Sequence, residues 1–272
     1  MFVPVVPAGG LQGWRFLNRT AEAQRQAFAQ SGEIQREKQY FVETIGNVRT
    51  PDDLIADRRL LSFALDAFGL GDDLKSHAFI RKVLQSSSGD PEALANRLAD
   101  RRYRDFANAF GFSDEGGPRT AISGSVDRIV LRWHEERFET ALGQVQPAMR
   151  IALNAQAEIG RIASAANTDD GRWYAVLGSA PLREFVQTAL GLPASFATID
   201  LDTQVTTLRH RLGTLLGTEG EVGDLSDPAR MDKLIRNYFL RQDIQATGSV
   251  RQDTALALLG QVVSRGPLAN QV

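Results

Sequence analysis

The stretch from Thr50 to Phe112 most limits how this chain can fold: TPDDLIADRRLLSFALDAFGLGDDLKSHAFIRKVLQSSSGDPEALANRLADRRYRDFANAFGF. It opens with a hydroxyl at N-cap (Thr50), proline at N1 (Pro51) and an acid at N3 (Asp53). The threonine oxygen can accept from an orphan backbone N–H, proline loses no hydrogen bond at N1, and the acid sits at the positive end of the helix. Leu61, Ala64, Leu65 and Phe68 then recur at helical spacing as one apolar stripe, so one helix is expected from the cap to Ala-Phe-Gly-Leu. Gly69 stands where a left-handed residue ends a helix. Asp90-Pro91 repeats the capping logic before Leu94 and Leu98, and Tyr103, Phe106, Ala107 and Phe110 form another stripe that Gly111 stops. All of these signals concern packing and none concerns chemistry.

With 272 residues the chain is long enough to bury a substantial core. Its formal net charge is −2 with acids and bases interspersed, so the basic excess or stripe of a nucleic-acid binder is missing. Absence of cysteine excludes disulfide frameworks, zinc–thiolate sites, iron–sulfur clusters and cysteine nucleophiles. No run of about 18 apolar residues occurs, so no membrane span is expected. The opening MFVPVVPAGG lacks a basic region and is broken by prolines, unlike a cleaved signal peptide. The protein is expected to stay in the cytoplasm or to leave it without a cleaved signal.

Along the chain, residues 1–17 are rich in Pro and Gly and read as an extended arm, with Asn18 as N-cap of a helix through Gln30. A second helix follows Ser31-Gly32 to about Gly46, and Ser113 to Thr120 reads as a loop. From Ala121 to Ala166 the pattern is helical, with Leu131 among the apolar positions. Gly143 and Pro147 are expected to divide it into helices of about 122–142 and 147–166. Asn167 to Gly171 reads as a turn, and a helix of about Ala180 to Leu190 ends in Gly191-Leu192-Pro193. Leu201, Val205, Leu208, Leu212 and Leu215 form a narrow seam, Asp227-Pro228 caps a helix with Met231, Leu234, Ile235 and Tyr238, and Ala255 to Val262 forms a last amphipathic helix. The expected architecture is all-α, a multi-helix bundle in which 18–265 form one domain and 266–272 a loose tail. Repeat-like modules at about 50–112 and 175–245 flank central helices at 121–166.

The second half echoes the first. Aligning Gly69 with Gly191 places Leu60 on Leu182, Phe63 on Phe185, Ala67 on Ala189 and Leu70 on Leu192. Asp90-Pro91 corresponds to Asp227-Pro228, with Leu94 on Met231 and Leu98 on Ile235. The matched positions are core and cap positions, as an internal duplication would leave them.

Residues capable of chemistry are few. His77 lies near Ile80 and Leu84 on its helix and reads as a partly buried structural histidine. His134 is followed by Glu135 and Glu136, but HEE lacks the second histidine four positions on that would place two metal ligands on one helical face. His210 falls off the leucine seam and reads as solvated. Asp200 and Asp202 resemble the start of a calcium loop, yet the glycine at position six and the glutamate at twelve are missing, so Asp200 reads as an N-cap. The glycines at 213, 217, 220 and 223 form no phosphate-binding motif. Asp52, Asp53, Asp72 and Asp73 are helix-start acids. The cluster Arg101-Arg102-Tyr103-Arg104 could receive a phosphate or an acidic partner, but a solvated face of snorkelling arginines is the simpler reading. No catalytic, cofactor-binding or metal-binding residue is expected.

The segments TPDDLIADRRLLSFALDAFGL, HAFIRKVLQSS, ANRLADRRYRDFANAFGF, FETALG, MRIALN, WYAVL, LREFVQTALGLP and LDTQ together resemble the bacterial DUF1217 family, over roughly residues 15 to 245. The resemblance implies an α-helical fold and, for many members, encoding beside flagellar genes in alphaproteobacteria. It carries over no catalytic residue. Where the family often has an aromatic-rich helix before FE, this chain reads LRWHEERFE, so no role attaches to His134. The expected function is that of a non-enzymatic helical interaction protein with protein partners, flagellar components among them. It would be an assembly factor or minor structural part, cytoplasmic or exported through the flagellar apparatus. The alternative is a cytosolic regulatory module that binds a ligand or protein.

Overall fold

The computed structural model describes residues 3–98 and 100–244, and no strand occurs among them. The helices are α1 (Gly10–Ala29), α2 (Gly32–Ile45), α3 (Pro51–Ala56), α4 (Arg58–Asp66), α5 (His77–Leu84), α6 (Leu94–Arg97), α7 (Arg101–Phe110), α8 (Ser123–Val145) and α9 (Pro147–Ala163). They continue with α10 (Asp169–Gly178), α11 (Ala180–Ala189), α12 (Leu201–Leu216) and α13, which runs from 228 to the last described residue, 244. The expected all-α class is the observed one. Contacts divide the chain into two compact units, one of residues 3–7 and 14–150, the other of 8–13 and 151–244. The reason lies in packing, because the apolar faces of α2–α5, α7 and α8 close on one another in a core of their own.

The N-terminal arm is shorter than expected. Residues 10–17 belong to α1, so Asn18 lies inside a helix, and Trp14 and Leu17 are buried. The extended part is held to α1 by Gln24, whose side chain accepts from the Val5 N–H at 2.8 Å and donates to the Val5 carbonyl at 3.0 Å.

The capping box at Thr50 forms as read: the Thr50 hydroxyl accepts from the Asp53 N–H at 3.2 Å, and the Asp53 carboxylate accepts from the Thr50 N–H at 2.9 Å. The single helix expected from there to Phe68 is broken, because Asp57 leaves helical geometry and its carboxylate caps the N–H groups of Arg59 and Leu60. After α4 the chain ends in a left-handed Gly69 (φ +65°), with the Leu70 N–H bonded to the Leu65 carbonyl at 2.9 Å. This six-residue closure satisfies carbonyls that the helix end leaves open.

Asp90-Pro91 forms a turn and not a helix start. The Asp90 carboxylate accepts from the Glu92 N–H, while the Asn96 side chain donates to the carbonyls of Ser87 and Asp90. Such local side-chain bonds compete with helix formation, and α6 is only four residues long. Pro147 opens α9 as expected, but Gly143 does not interrupt α8. There the missing Cβ makes room for Arg150, whose Cδ lies 2.6 Å from where that Cβ would stand. Leu131, expected in the core, is 60% exposed.

The second unit is built by the same local rules. Thr168 caps α10 by accepting from the Gly171 N–H, so the turn expected at 167–171 is largely the first turn of that helix. Trp173, Val176 and Leu177 of α10, Leu182, Phe185 and Val186 of α11, and Val205, Leu208 and Leu212 of α12 are buried. Helix α11 ends as α4 does, with Gly191 left-handed (φ +68°) and the Leu192 N–H bonded to the Gln187 carbonyl at 2.9 Å. Asp227 caps α13, on which Met231, Leu234, Ile235 and Tyr238 are buried. The expected helix at 255–262 and the tail at 266–272 lie outside the described residues.

Candidate functional site

In the first unit a polar cleft forms beside a stack of three aromatic rings. Phe63 of α4 lies between Phe41 of α2 and Trp133 of α8, with centroids 4.1 Å apart on either side and planes inclined by 14° and 18°. Helix α4 can reach both neighbours because it packs on α2 and α8. The cleft has a volume of about 400 Å³, and its lining includes Phe63, Trp133, Arg58, Arg59, Arg137 and Asp66. The Arg59 guanidinium lies 3.7 Å over the Tyr40 ring and 3.3 Å from Glu37. That of Arg137 lies 6.0 Å from the Trp133 ring centroid. Burial pushes the Asp66 carboxyl above its ordinary range, and Arg137 only partly opposes the shift. Cations held on aromatic faces beside carboxylates suit a small ligand that carries charge and a flat or apolar part.

The residues singled out from sequence do not converge on this cleft. His134 follows Trp133 on α8 and is half-buried, and its Nε2 has no hydrogen-bond partner among the described residues. Burial first, and Lys38 second, hold it below the ordinary histidine range. His77 is corrected: it is exposed at the first position of α5. His210 is exposed, as read. Among the described residues no group of three or more His, Asp or Glu could hold a metal ion.

The other candidates have structural tasks. Asp52 pairs with Arg81 at 2.6 Å, and Asp73 accepts from the Tyr103 hydroxyl at 2.7 Å. Asp200 caps α12 by accepting from the N–H groups of Asp202 and Thr203. In the arginine cluster, Arg102 pairs with Asp100 and donates to the Gly69 carbonyl at 2.6 Å, so its head group is engaged and not simply solvated.

Glu139 on α8 was not legible as special. Burial, reinforced by Glu136, pushes its carboxyl up to about 7 against the opposing pull of Arg25. Glu135 raises it further and Arg150 lowers it. The sequence does show three acids at helical spacing on α8, but neither arginine is near them in the chain.

Comparison with known proteins agrees with this architecture. The crystal structure of protein AGR_C_984 from Agrobacterium tumefaciens is similar to this chain with a TM-score of 0.71 and 24% sequence identity. The likeness covers 89% of this chain and 99% of that one, and it concerns the fold. A search of curated proteins returns no match. The family model described as "Protein of unknown function (DUF1217)" matches residues 67–231, more than half of the chain, and this all-helical chain belongs to the DUF1217 family.

Proposed function

We propose that this protein is a non-enzymatic helical interaction protein of the flagellar system, acting as an assembly factor or minor structural component. The observation that carries the reading is the family match over residues 67–231, since the resemblance to that family implies, for many members, encoding beside flagellar genes. A duplicated architecture is part of the proposal. Its support is that Leu60 and Leu182, Phe63 and Phe185, and Ala67 and Ala189 are buried at corresponding positions of α4 and α11, before matching left-handed glycines. Protein partners are proposed, and a near-neutral charge balance speaks against nucleic acid. The protein works in the cytoplasm or passes through the flagellar apparatus.

An in-frame deletion in a motile host tests this directly. Shortened or missing filaments, or impaired swimming restored by the gene in trans, is the expected result. Normal filaments and normal swimming would overturn the reading. A second reading, a regulatory binding module, draws its support from the cleft beside Phe63 and Trp133. Co-purification of a small charged ligand, lost on Arg137→Ala, would favour it.

A further inference from the structure

Tyr174 leaves α10 with 41% of its surface exposed, yet its hydroxyl is fixed by donating to the Asp202 carboxylate at 2.8 Å. Two more apolar side chains stand in the open where α12 begins, Ile199 at 41% and Leu201 at 48% exposure. A ring held in place at solvent loses little freedom on being covered, which is what makes tyrosine an effective anchor at interfaces.

Carboxylates gather around this surface. Asp202, Asp170 and Asp200 all act on the Tyr174 phenol and raise its pKa. Arg209 bridges Asp169 and Asp170 at 3.0 and 2.6 Å. Asp200 and Asp202 have no ion pair within 4 Å among the described residues. An apolar centre with an acidic border is complementary to apolar side chains flanked by cations. It would repel an anionic membrane or a nucleic acid. A second copy meeting it face to face would bring aspartates opposite aspartates.

We infer that the surface of Tyr174, Ile199 and Leu201 docks a basic amphipathic segment of a partner protein. Its apolar side chains cover the ring and the two aliphatic groups, and its Lys or Arg residues face Asp200 and Asp202. This deepens the interaction-protein reading by naming the partner's chemistry. Its test does not depend on motility, so its failure would leave the flagellar role to the deletion experiment.

The probe is a fluorescein-labelled peptide of about 14 residues with Leu on one helical face and Lys elsewhere, titrated into the full chain by anisotropy. Matched peptides carry Glu for every Lys, or Ser for every Leu. The Lys–Leu peptide is expected to bind at least about tenfold more tightly than either control. Tyr174→Ala and Leu201→Ser should each weaken it by about tenfold or more, with melting temperatures close to the parent's because both side chains lie at the surface. Asp202→Asn, which still accepts the phenol hydrogen bond, should weaken binding and flatten its salt dependence. Variants that bind as tightly as the parent, or a Glu peptide that binds as well as the Lys peptide, would overturn the proposal. Self-association in sedimentation that Leu201→Ser abolishes would assign the face to a second copy and overturn it too.

Discussion

The guanidinium of Arg102 donates to the carbonyl oxygen of Gly69 at 2.6 Å, tying the first turn of α7 to the left-handed turn that ends α4. The same arginine pairs with Asp100, which caps its own helix, so one side chain joins two helix ends. A side chain over such a turn also occupies space: a Cβ on Gly69 would lie 3.3 Å from Arg102 Nη1.

Gly69→Ala is therefore expected to cost about 1–2 kcal/mol, because alanine resists the left-handed conformation. Gly46→Ala is the control. Gly46 has right-handed helical geometry and nothing within 4 Å of an added Cβ, so that change should be neutral or stabilise by about 0.5 kcal/mol. Arg102→Ala should cost about 1 kcal/mol, a modest figure because half of the side chain is exposed. Urea denaturation of the three variants checks the order.

Phe63→Ala removes the middle ring of the Phe41–Phe63–Trp133 stack, and a loss of about 3–5 kcal/mol is expected. Phe63→Leu, which keeps most of the volume, should cost clearly less. Chemical denaturation, with near-ultraviolet dichroism reporting on Trp133, measures both.

Glu139 introduces a pH dependence of known sign. Its folded carboxyl titrates at about 7, above its ordinary value, so the folded state holds the proton more tightly than the unfolded state. The penalty is absent below the ordinary carboxylate range, grows as pH rises through it, and is complete above about 7. Glu139→Gln should match the parent at low pH and exceed it at pH about 8 by on the order of 3 kcal/mol. Thermal melts from acidic to weakly alkaline pH test it, and parallel curves for the two proteins would refute it.

Asp114 organises the segment between α5 and α7. Its carboxylate accepts from the Ser88 N–H at 2.8 Å and the Ser88 hydroxyl at 2.9 Å, and pairs with Arg119 at 2.7 Å. The Ser88 backbone bond first, then the Ser88 hydroxyl and Arg119, hold it below the ordinary carboxylate range. Its stabilisation is thus present above that range and lost as pH falls below it. Asp114→Ala is expected to cost about 2–3 kcal/mol and to open the chain around Ser87 to limited proteolysis.

What was legible in advance depended on distance along the chain. The cap at Thr50, the glycine stops at Gly69 and Gly191, and the cap at Asp200 are all settled by residues within about five positions, and each formed. The misread points were those where side chains competed for the same backbone. Asp57 split the helix expected from the Thr50 cap into two, and Asp90 spent its carboxylate on a turn. The stripe of Leu61, Ala64, Leu65 and Phe68 is buried, whereas Leu131, an apolar position of α8, is exposed, because exposure depends on which neighbours arrive.

The sequence by itself determined a helical chain, the caps at Thr50, Asp200 and Asp227, and the stops at Gly69, Gly111 and Gly191, because those follow from local hydrogen bonding and the 3.6-residue period. Tertiary structure alone decided the division into two compact units, the cleft beside Phe63 and Trp133, and the raised carboxyl of Glu139. Burial and charge pairing there involve side chains such as Arg25, Glu139 and Arg150, which no short pattern links until helix packing brings them together.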